Sequence, residues 1–193
     1  MGKIYVIMGK SASGKDTVYR EVKALVPSLR GFVMYTTRPM RSGEEDGVSY
    51  YFVSPEVIGE AEKSGKLIEK RVYDTVYGPW IYATIDDGQI DPVRGDYLVP
   101  GTLQSFVKLR EHFGRDVVIP VYIEVEDGER LLRAIGREKS QTEPKYAEMC
   151  RRFLADCEDF SEERLSDAGV VRRFENIDAG TCAGEIADLI RGV

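Results

Sequence analysis

The first residues that could do chemistry form a glycine-bounded segment near the amino terminus. Residues 9–15 read GKSASGK and fit the pattern G-x-x-x-x-G-K. In this pattern, backbone N–H groups of a glycine loop and of a helix N-terminus surround phosphate oxygens, while the lysine neutralises their charge. The segment predicts a site for the phosphates of ATP, made by Gly9, Ser11, Ala12, Ser13, Gly14, Lys15, Asp16 and Thr17.

The placement of this segment supports the prediction. Residues 3–8, KIYVIM, are an apolar run typical of a buried strand, and Val18, Val22 and Leu25 then recur at helical spacing. A strand, a glycine loop and a helix in this order are the context in which such a loop binds phosphate. An ordinary Gly-Ser turn with a solvated lysine would explain neither the spacing nor the placement.

Asp16 departs from the usual pattern, in which a Ser or Thr hydroxyl after the lysine binds Mg²⁺ beside the nucleotide. A carboxylate can also bind Mg²⁺, but it adds negative charge next to the phosphates. Two alternatives stay open: Asp16 ligates the metal directly or through water, or Thr17 ligates it after a local shift. In either case the expected cofactor is Mg²⁺ with ATP.

A second group of residues could bind another phosphate. Residues 36–52 read TTRPMRSGEEDGVSYYF, which places Arg38 and Arg41 before a Gly-rich acidic turn and a group of aromatic residues. Two guanidinium groups can grip one phosphate bidentately. A solvated hairpin with scattered charge is the alternative interpretation of this stretch.

This string resembles the monophosphate-binding segment of the guanylate kinase family, T-T-R-x-x-R-x-G-E-x-x-G-x-x-Y-x-F. The phosphate loop precedes it at the family's spacing and further motifs follow in order, so the resemblance covers nearly the whole chain. It implies ATP-dependent phosphorylation of a nucleoside monophosphate, foremost GMP + ATP to GDP + ADP. It also implies that Glu69 faces the N1 and 2-amino edge of guanine, and that the acceptor is held by Arg38, Arg41, Tyr50, Glu69 and Tyr77.

Basic residues after Asp127 resemble the lid of that family. Arg133 and Arg137 lie four apart on one face of a predicted helix, and Arg152 follows on the next helix. Phosphoryl transfer leaves little covalent work for the protein, so cations that close over the transferring group are the expected catalysts. The alternative is a charged helix face with local ion pairs. The resemblance implies catalytic roles for Lys15, Arg41, Arg133, Arg137 and Arg152.

Other positions either extend or weaken the resemblance. Residues 174–178, FENID, resemble a family turn in which Asn176 would touch the adenine of ATP. Met34 stands where the family has a serine on the acceptor phosphate, and Pro79 replaces a hydroxyl that would donate to the guanine carbonyl oxygen, which proline cannot do. Pro100 and Thr102 replace two aspartates of the family pattern.

These departures leave two rival functions open. One is a kinase for a different small phosphate acceptor, and the other is a catalytically weak module that binds nucleotide or phosphopeptide. Asp86 or Asp87 is a hypothetical source of the missing carboxylate. Intact Lys15 and Arg41 count against the weak module.

Alternating strands and helices must position these residues, and they predict an α/β protein with a parallel sheet. We expect a P-loop three-layer fold, with a parallel core sheet flanked by helices, an inserted β-rich monophosphate-binding lobe and a helical lid. The expected single domain covers residues 1–193. Its predicted parts are a core (1–35, 85–128 and 147–193), a lobe (36–84) and a lid (129–146).

The composition limits the number of domains and the kinds of partner that we expect. The 193 residues, 42% of them hydrophobic, suffice for one core, and the net charge of -6 argues against a surface for nucleic acid. Three cysteines match neither a disulfide framework nor a zinc site. No membrane span or targeting segment is visible, so we expect a cytoplasmic enzyme with ATP and GMP as its partners. A monomer and a homodimer are both open.

Overall fold

The computed structural model describes residues 1–41, 43–75 and 78–193. In this part of the chain the strands are β1 (Ile4–Met8), β2 (Tyr35–Thr36), β3 (Tyr51–Phe52), β4 (Leu67–Thr75), β5 (Gly78–Ile85), β6 (Tyr97–Pro100), β7 (Val118–Glu124) and β8 (Arg173–Glu175). The helices are α1 (Lys15–Leu25), α2 (Pro55–Lys63), α3 (Leu103–Phe113), α4 (Asp127–Lys139), α5 (Tyr146–Asp159), α6 (Glu162–Asp167) and α7 (Ala179–Arg191).

The core sheet has the strand order β6-β1-β7-β8, and its strands are parallel. Every residue of the central strand β1 is buried. A parallel strand with helices on both faces is expected to be an unbroken apolar run, as residues 4–8 are. The predicted parallel sheet flanked by helices is therefore confirmed.

Alternate residues of β1 serve the two faces of this sheet. Ile4 and Val6 belong to an apolar cluster with Phe106 of α3. Tyr5 and Ile7 belong to the cluster on the other face, which includes residues of α1 and α7. Each fully buried side chain of this size stabilises the fold by about 1.5–3 kcal/mol. The strand thereby holds the start of the phosphate loop rigidly.

A second sheet has the order β3-β2-β5-β4. Strands β4 and β5 form an antiparallel hairpin, while β2 pairs antiparallel with β5 and parallel with β3. The register of the hairpin shifts between Leu67 and Glu69. This sheet, from Tyr35 to Ile85, nearly coincides with the segment expected to form the lobe, and the boundaries of core, lobe and lid stay a prediction.

Some elements differ from the expectation. The sequence predicts a strand over residues 31–36, but only Tyr35 and Thr36 form one. Residues 31–34 cross from the core sheet, to which Arg30 bridges, to the second sheet, with which Tyr35 pairs. The sequence predicts Asp127 as the N-cap of the helix that follows it, but the side chain of Glu126 caps α4 instead, by accepting from Glu129 N at 2.9 Å. Helix α6 was not expected at all.

The loops that follow β1 and β6 leave the same edge of the core sheet. The two strands are parallel neighbours, with Ile7 opposite Pro100. In open α/β sheets, ligands bind beyond the carboxyl ends of the strands. Among the described residues, no helix is both long and apolar enough to span a lipid bilayer.

Candidate active site

The phosphate cradle, residues 9–17, links β1 to α1. Gly14 has φ 78° and is the N-cap of α1. A Cβ on Gly14 would lie 2.4 Å from Asn176 Nδ2, and one on Gly9 would lie 2.8 Å from the carbonyl oxygen of Ile123. Both positions therefore require glycine. Ala12 has φ 62°, a left-handed conformation that costs a non-glycine residue roughly 1–2 kcal/mol.

Asn176 supports the cradle from behind. Its side chain is 4% exposed, and Nδ2 donates to the carbonyl oxygen of Ser13 at 2.7 Å. It does not line the cleft described below, so its position gives no support to the predicted contact with adenine. The amide instead fixes the loop from which Lys15 projects.

Lys15 and Asp16 form an ion pair at the first turn of α1, with 2.8 Å between Nζ and Oδ1. The hydrogen bond from Lys15 lowers the pKa of Asp16, against a smaller opposing effect of burial. The carboxylate is therefore ionised at neutral pH and is 91% exposed. Thr17 is exposed as well, so two hard oxygen donors lie beside the cradle.

These donors fit Mg²⁺, which takes one or two protein oxygens and completes its octahedron with water and substrate phosphate. No group of three or more His, Cys, Asp or Glu residues within the described ranges could hold a metal ion by itself. A metal here would depend on the nucleotide for its remaining ligands. Asp16 and Thr17 are the residues present to hold it.

One large cleft, with a volume of about 1850 Å³, extends from the cradle towards the second sheet. Its lining contains the predicted residues Gly9, Ser11, Ala12, Ser13, Gly14, Lys15, Asp16, Thr17, Arg41, Tyr50, Arg133, Arg137 and Arg152. Arg38, Glu69 and Asn176 are not in this lining. Tyr77 lies outside the described residues.

Arg38 is buried in the second sheet, with 3% of its surface exposed. Its guanidinium donates to both carboxylate oxygens of Glu44, at 2.9 and 2.6 Å, and to Tyr82 Oη at 3.1 Å. The predicted contact of Arg38 with the acceptor phosphate would require this bidentate pair to open. An arginine at position 38 predicts a site that binds an anion, and in the structure the carboxylate of Glu44 binds there.

The same carboxylate shapes the loop that carries Arg41. Glu44 Oε2 accepts a hydrogen bond from Arg41 N at 2.8 Å, while the Arg41 side chain is exposed in the cleft. The Arg38 guanidinium and the Arg41 backbone N–H lower the pKa of Glu44 to about 2. Glu44 thus links the guanidinium of Arg38 to the backbone of Arg41, while the role of Arg38 at the acceptor phosphate stays a prediction.

Tyr50 lines the cleft on top of an aromatic cluster. Its ring packs edge-on against Tyr82 and Phe52, with centroids 5.7 and 6.0 Å apart. Burial is the main cause that raises the pKa of Tyr50. The phenol stays protonated at neutral pH and can donate a hydrogen bond to a phosphate oxygen.

Glu69 lies on β4 beneath the cleft and is 4% exposed. Its Oε1 accepts from Ser105 Oγ at 3.2 Å and from Thr84 Oγ1 at 3.3 Å. Arg71, two residues further along β4, lines the cleft and pairs with this carboxylate. The sequence reasoning missed Arg71, although the period of two in a strand places residues 69 and 71 on one face.

Helix α4 brings cations to the cradle. Arg133 donates to Glu129 Oε1 at 2.9 Å and to the carbonyl oxygen of Asn176 at 3.2 Å. Arg137 and Arg152 are exposed in the cleft. The sequence reasoning missed Asp156 of α5, whose Oδ2 accepts from Ser11 N in the cradle at 2.7 Å, and no sequence pattern pointed to it.

Three of the four positions that depart from the family pattern lie in the cleft. Met34, Pro100 and Thr102 line it, whereas Pro79 is exposed and does not. The hydroxyl of Thr102 caps α3 by accepting from Ser105 N at 3.2 Å.

Asp86 and Asp87 do not supply a carboxylate to the cleft. Asp86 Oδ2 lies 3.3 Å from His112 Nε2, and Asp87 accepts from Tyr35 Oη at 2.7 Å. Neither aspartate lines the cleft, so the hypothesis that one replaces the missing carboxylate is not supported. Both carboxylates are held by side chains outside it.

A parallel core sheet with a glycine cradle at its edge, facing arginines from other elements across one cleft, is the architecture of the P-loop phosphotransferases. Comparison with known proteins identifies the family within this class. Residues 1–162 match the family model described as guanylate kinase. The chain belongs to the guanylate kinase family and is a nucleoside monophosphate kinase.

Individual relatives agree with this assignment. The guanylate kinase of Syntrophotalea carbinolica is 31% identical over 157 residues, which cover 80% of this chain and 73% of that protein. The guanylate kinase of Clostridioides difficile is 30% identical over 196 residues, which cover 98% and 87% of the two chains. The crystal structure of guanylate kinase from Anaplasma phagocytophilum shares the fold, with a TM-score of 0.64 at 21% identity over 99% of this chain and 85% of that one.

Proposed function

We propose that the chain transfers the terminal phosphate of Mg-ATP to GMP, producing GDP and ADP. The observation that carries the proposal is the shared cleft, whose lining includes Lys15 and the cradle together with Arg41 and Tyr50. A donor triphosphate and an acceptor monophosphate would meet in this space. The relatives named above are guanylate kinases.

On the donor side, the backbone N–H groups at the start of α1 would bind phosphate oxygens, helped by the helix dipole. Lys15 would neutralise part of the charge of the phosphates. Asp16 and Thr17 would hold Mg²⁺. When bound, the metal neutralises charge on the phosphate oxygens and orients them.

On the acceptor side, Arg41 would bind the monophosphate through its guanidinium, with Tyr50 as a neutral donor. The charge of the acceptor phosphate needs such a partner because two anionic phosphates must approach each other. Arg38 contributes indirectly, since Glu44 links it to the backbone of Arg41.

Transfer itself would depend on positioning and positive charge. Arg133, Arg137 and Arg152 line the cleft near the cradle, so their guanidinium groups can stabilise the charge that develops on the transferring group. Closure of α4 and α5 over the cleft would also exclude water and so limit wasteful hydrolysis of ATP.

Glu69 supports guanine as the acceptor base. The Oε2 atom of this buried carboxylate has no hydrogen-bond partner among the residues that the structure describes. Guanine offers two adjacent donors, N1–H and the 2-amino group, which one carboxylate can accept. Adenine presents an unprotonated N1 in the same place, whose lone pair repels a carboxylate.

The test is ADP release from Mg-ATP with a panel of GMP, IMP, AMP, CMP and UMP. The proposal predicts the highest kcat/KM for GMP. The Lys15→Met variant should lose about 10²–10³-fold in kcat, the usual effect of removing one group that stabilises transition-state charge. Lys63→Met is the matched control, because Lys63 is exposed on α2 and lies outside the cleft lining.

A second candidate is a kinase for a different small phosphate acceptor, which Met34 and Thr102 in the cleft favour. Turnover with another acceptor and none with GMP would support it and overturn the proposal. Tight binding of GMP without turnover of any acceptor would instead indicate a catalytically weak binding module.

A further inference from the structure

Arg71 lines the cleft from β4, and Glu69 lies beside it on the same face of the strand, beneath the cleft lining. Arg71 Nε is 3.2 Å from Glu69 Oε2, and Nη2 donates to Oε1 at 3.3 Å. Their side chains are 14% and 1% exposed, respectively. Lys70, between them, points away from this pair and binds Glu62 of α2. A cation therefore stands directly beside the buried carboxylate.

The two carboxylate oxygens of Glu69 differ in their hydrogen bonds. Glu69 Oε1 accepts from Arg71, Thr84 and Ser105. Glu69 Oε2 and Arg71 Nε are close but poorly aligned, and neither has a hydrogen-bond partner among the described residues. Buried polar atoms without partners are costly in free energy. One buried acceptor and one buried donor thus lie next to each other where β4 borders the cleft.

The edge of guanine complements this arrangement. Its two N–H donors, at N1 and the 2-amino group, lie next to the acceptor O6, and the acceptor N7 follows. A carboxylate accepts from such donors, and arginine is the side chain that most often binds O6 and N7 of guanine. Adenine would direct its 6-amino donor at the guanidinium, which has no acceptor.

The family pattern has a hydroxyl donor to O6 at position 79, where this chain has Pro79. Pro79 has no N–H or hydroxyl, is exposed, and does not line the cleft, whereas Arg71 does. We propose that Arg71 is a specificity-determining residue that donates to O6 of the acceptor guanine while Glu69 accepts from N1–H and the 2-amino group. This inference rests on the proposed function, with GMP as the acceptor.

The test compares kcat/KM for GMP, 6-thio-GMP and IMP. The 6-thio analogue replaces only O6, by a poorly accepting sulfur, and IMP lacks only the 2-amino group. The wild type should prefer GMP over 6-thio-GMP by about tenfold to hundredfold, as expected for one good polar base contact. In Arg71→Met this preference should fall to about twofold or less, while the preference for GMP over IMP should stay within about threefold of the wild-type value.

Lys70→Gln is the matched control, because it removes a cation from the other face of the same strand, and it should leave both preferences unchanged. Folding of each variant is checked by thermal melting. If Arg71→Met does not fold, Arg71→Lys decides the question. Its ammonium group retains the positive charge but lacks the planar N–H donors of a guanidinium, so the preference for GMP over 6-thio-GMP should fall several-fold.

The outcomes separate this inference from the proposed function. Suppose that the wild type uses GMP and that Arg71→Met (or Arg71→Lys in its place) keeps the full preference for GMP over 6-thio-GMP. The proposed role of Arg71 would then be wrong, while the assignment as a GMP kinase would stand. An equal fall in both preferences would indicate a merely structural role and would also overturn the inference. If the wild type does not phosphorylate GMP, the proposed function and this inference both fail.

Discussion

Asn176 shows how a single buried amide can control a binding loop. Its Nδ2 holds the carbonyl oxygen of Ser13, and its own carbonyl oxygen accepts from Arg133. The residue thus connects the cradle with α4. We propose that this amide acts by keeping the loop rigid.

We predict that Asn176→Ala lowers the free energy of unfolding by about 1–3 kcal/mol, because the carbonyl of Ser13 loses a buried donor. The KM for ATP should rise as the cradle loosens, while the KM for the acceptor stays close to the wild-type value. Urea unfolding and steady-state kinetics measure the two effects. Unchanged stability together with an unchanged KM for ATP would contradict this account.

At the scale of residues, sequence patterns indicate which side chains are cationic but not which anion each of them contacts in the folded protein. The predicted catalytic cations all line the cleft, and their roles in catalysis stay a prediction: Lys15, Arg41, Arg133, Arg137 and Arg152. Arg38 has the same residue type, but folding places it against Glu44. Residue type predicts the capacity to bind an anion, whereas the identity of that anion depends on tertiary contacts.

The loop from Arg38 to Glu44 depends on one ionised carboxylate, which gives it a defined pH response. The pKa of Glu44 falls from an ordinary value of 4.5 to about 2 in the folded protein. A depressed folded-state pKa contributes stability that is present above about pH 4.5 and is lost as the pH falls through 2. The ion pair should therefore be intact at neutral pH.

We predict that between pH 5 and pH 2.5 the wild type loses more stability than Glu44→Gln, because the variant lacks the carboxylate that becomes protonated. Denaturant midpoints measured across this range provide the test. The two proteins should respond alike between pH 6 and 8. Parallel curves below pH 5 would show that the pair does not stabilise the folded state.

Helix α4 presents Arg133 and Arg137 four residues apart, so one face of the helix faces the cradle. We predict that Arg137→Met lowers kcat by about 10²–10³-fold, since a cation near the transferring phosphate is lost. The melting temperature should hardly change because Arg137 is exposed. Lys139→Met, on the same helix but outside the cleft lining, should retain activity. Equal effects of the two substitutions would refute a specific role.

Long elements were predictable from the sequence, and short ones were not. Helix α1 begins and ends where the apolar spacing of residues 15–25 required. Strands β2 and β3 contain two residues each and exist only through pairing within the second sheet. Helix α6 is too short for a periodic pattern, and the buried side chain of Leu165 anchors it.

At the scale of the whole molecule, the function depends on how two sheets meet at one cleft. The alternation of strands and helices predicted the parallel core, and the inserted β-rich segment predicted a second sheet. The contact of Glu69 with Ser105, in the first turn of α3, comes from long-range packing. No local pattern in the sequence encodes that contact.

The central claim is that the cleft transfers phosphate between two bound nucleotides. Its most direct test is incubation of the protein with Mg²⁺, GMP and ATP labelled with ³²P in the terminal phosphate, followed by separation of the products. We predict that the label appears in GDP, with little in inorganic phosphate, and that Lys15→Met slows the transfer by about 10²–10³-fold. Label found only in inorganic phosphate, or in another nucleotide of a mixed panel and never in GDP, would contradict it.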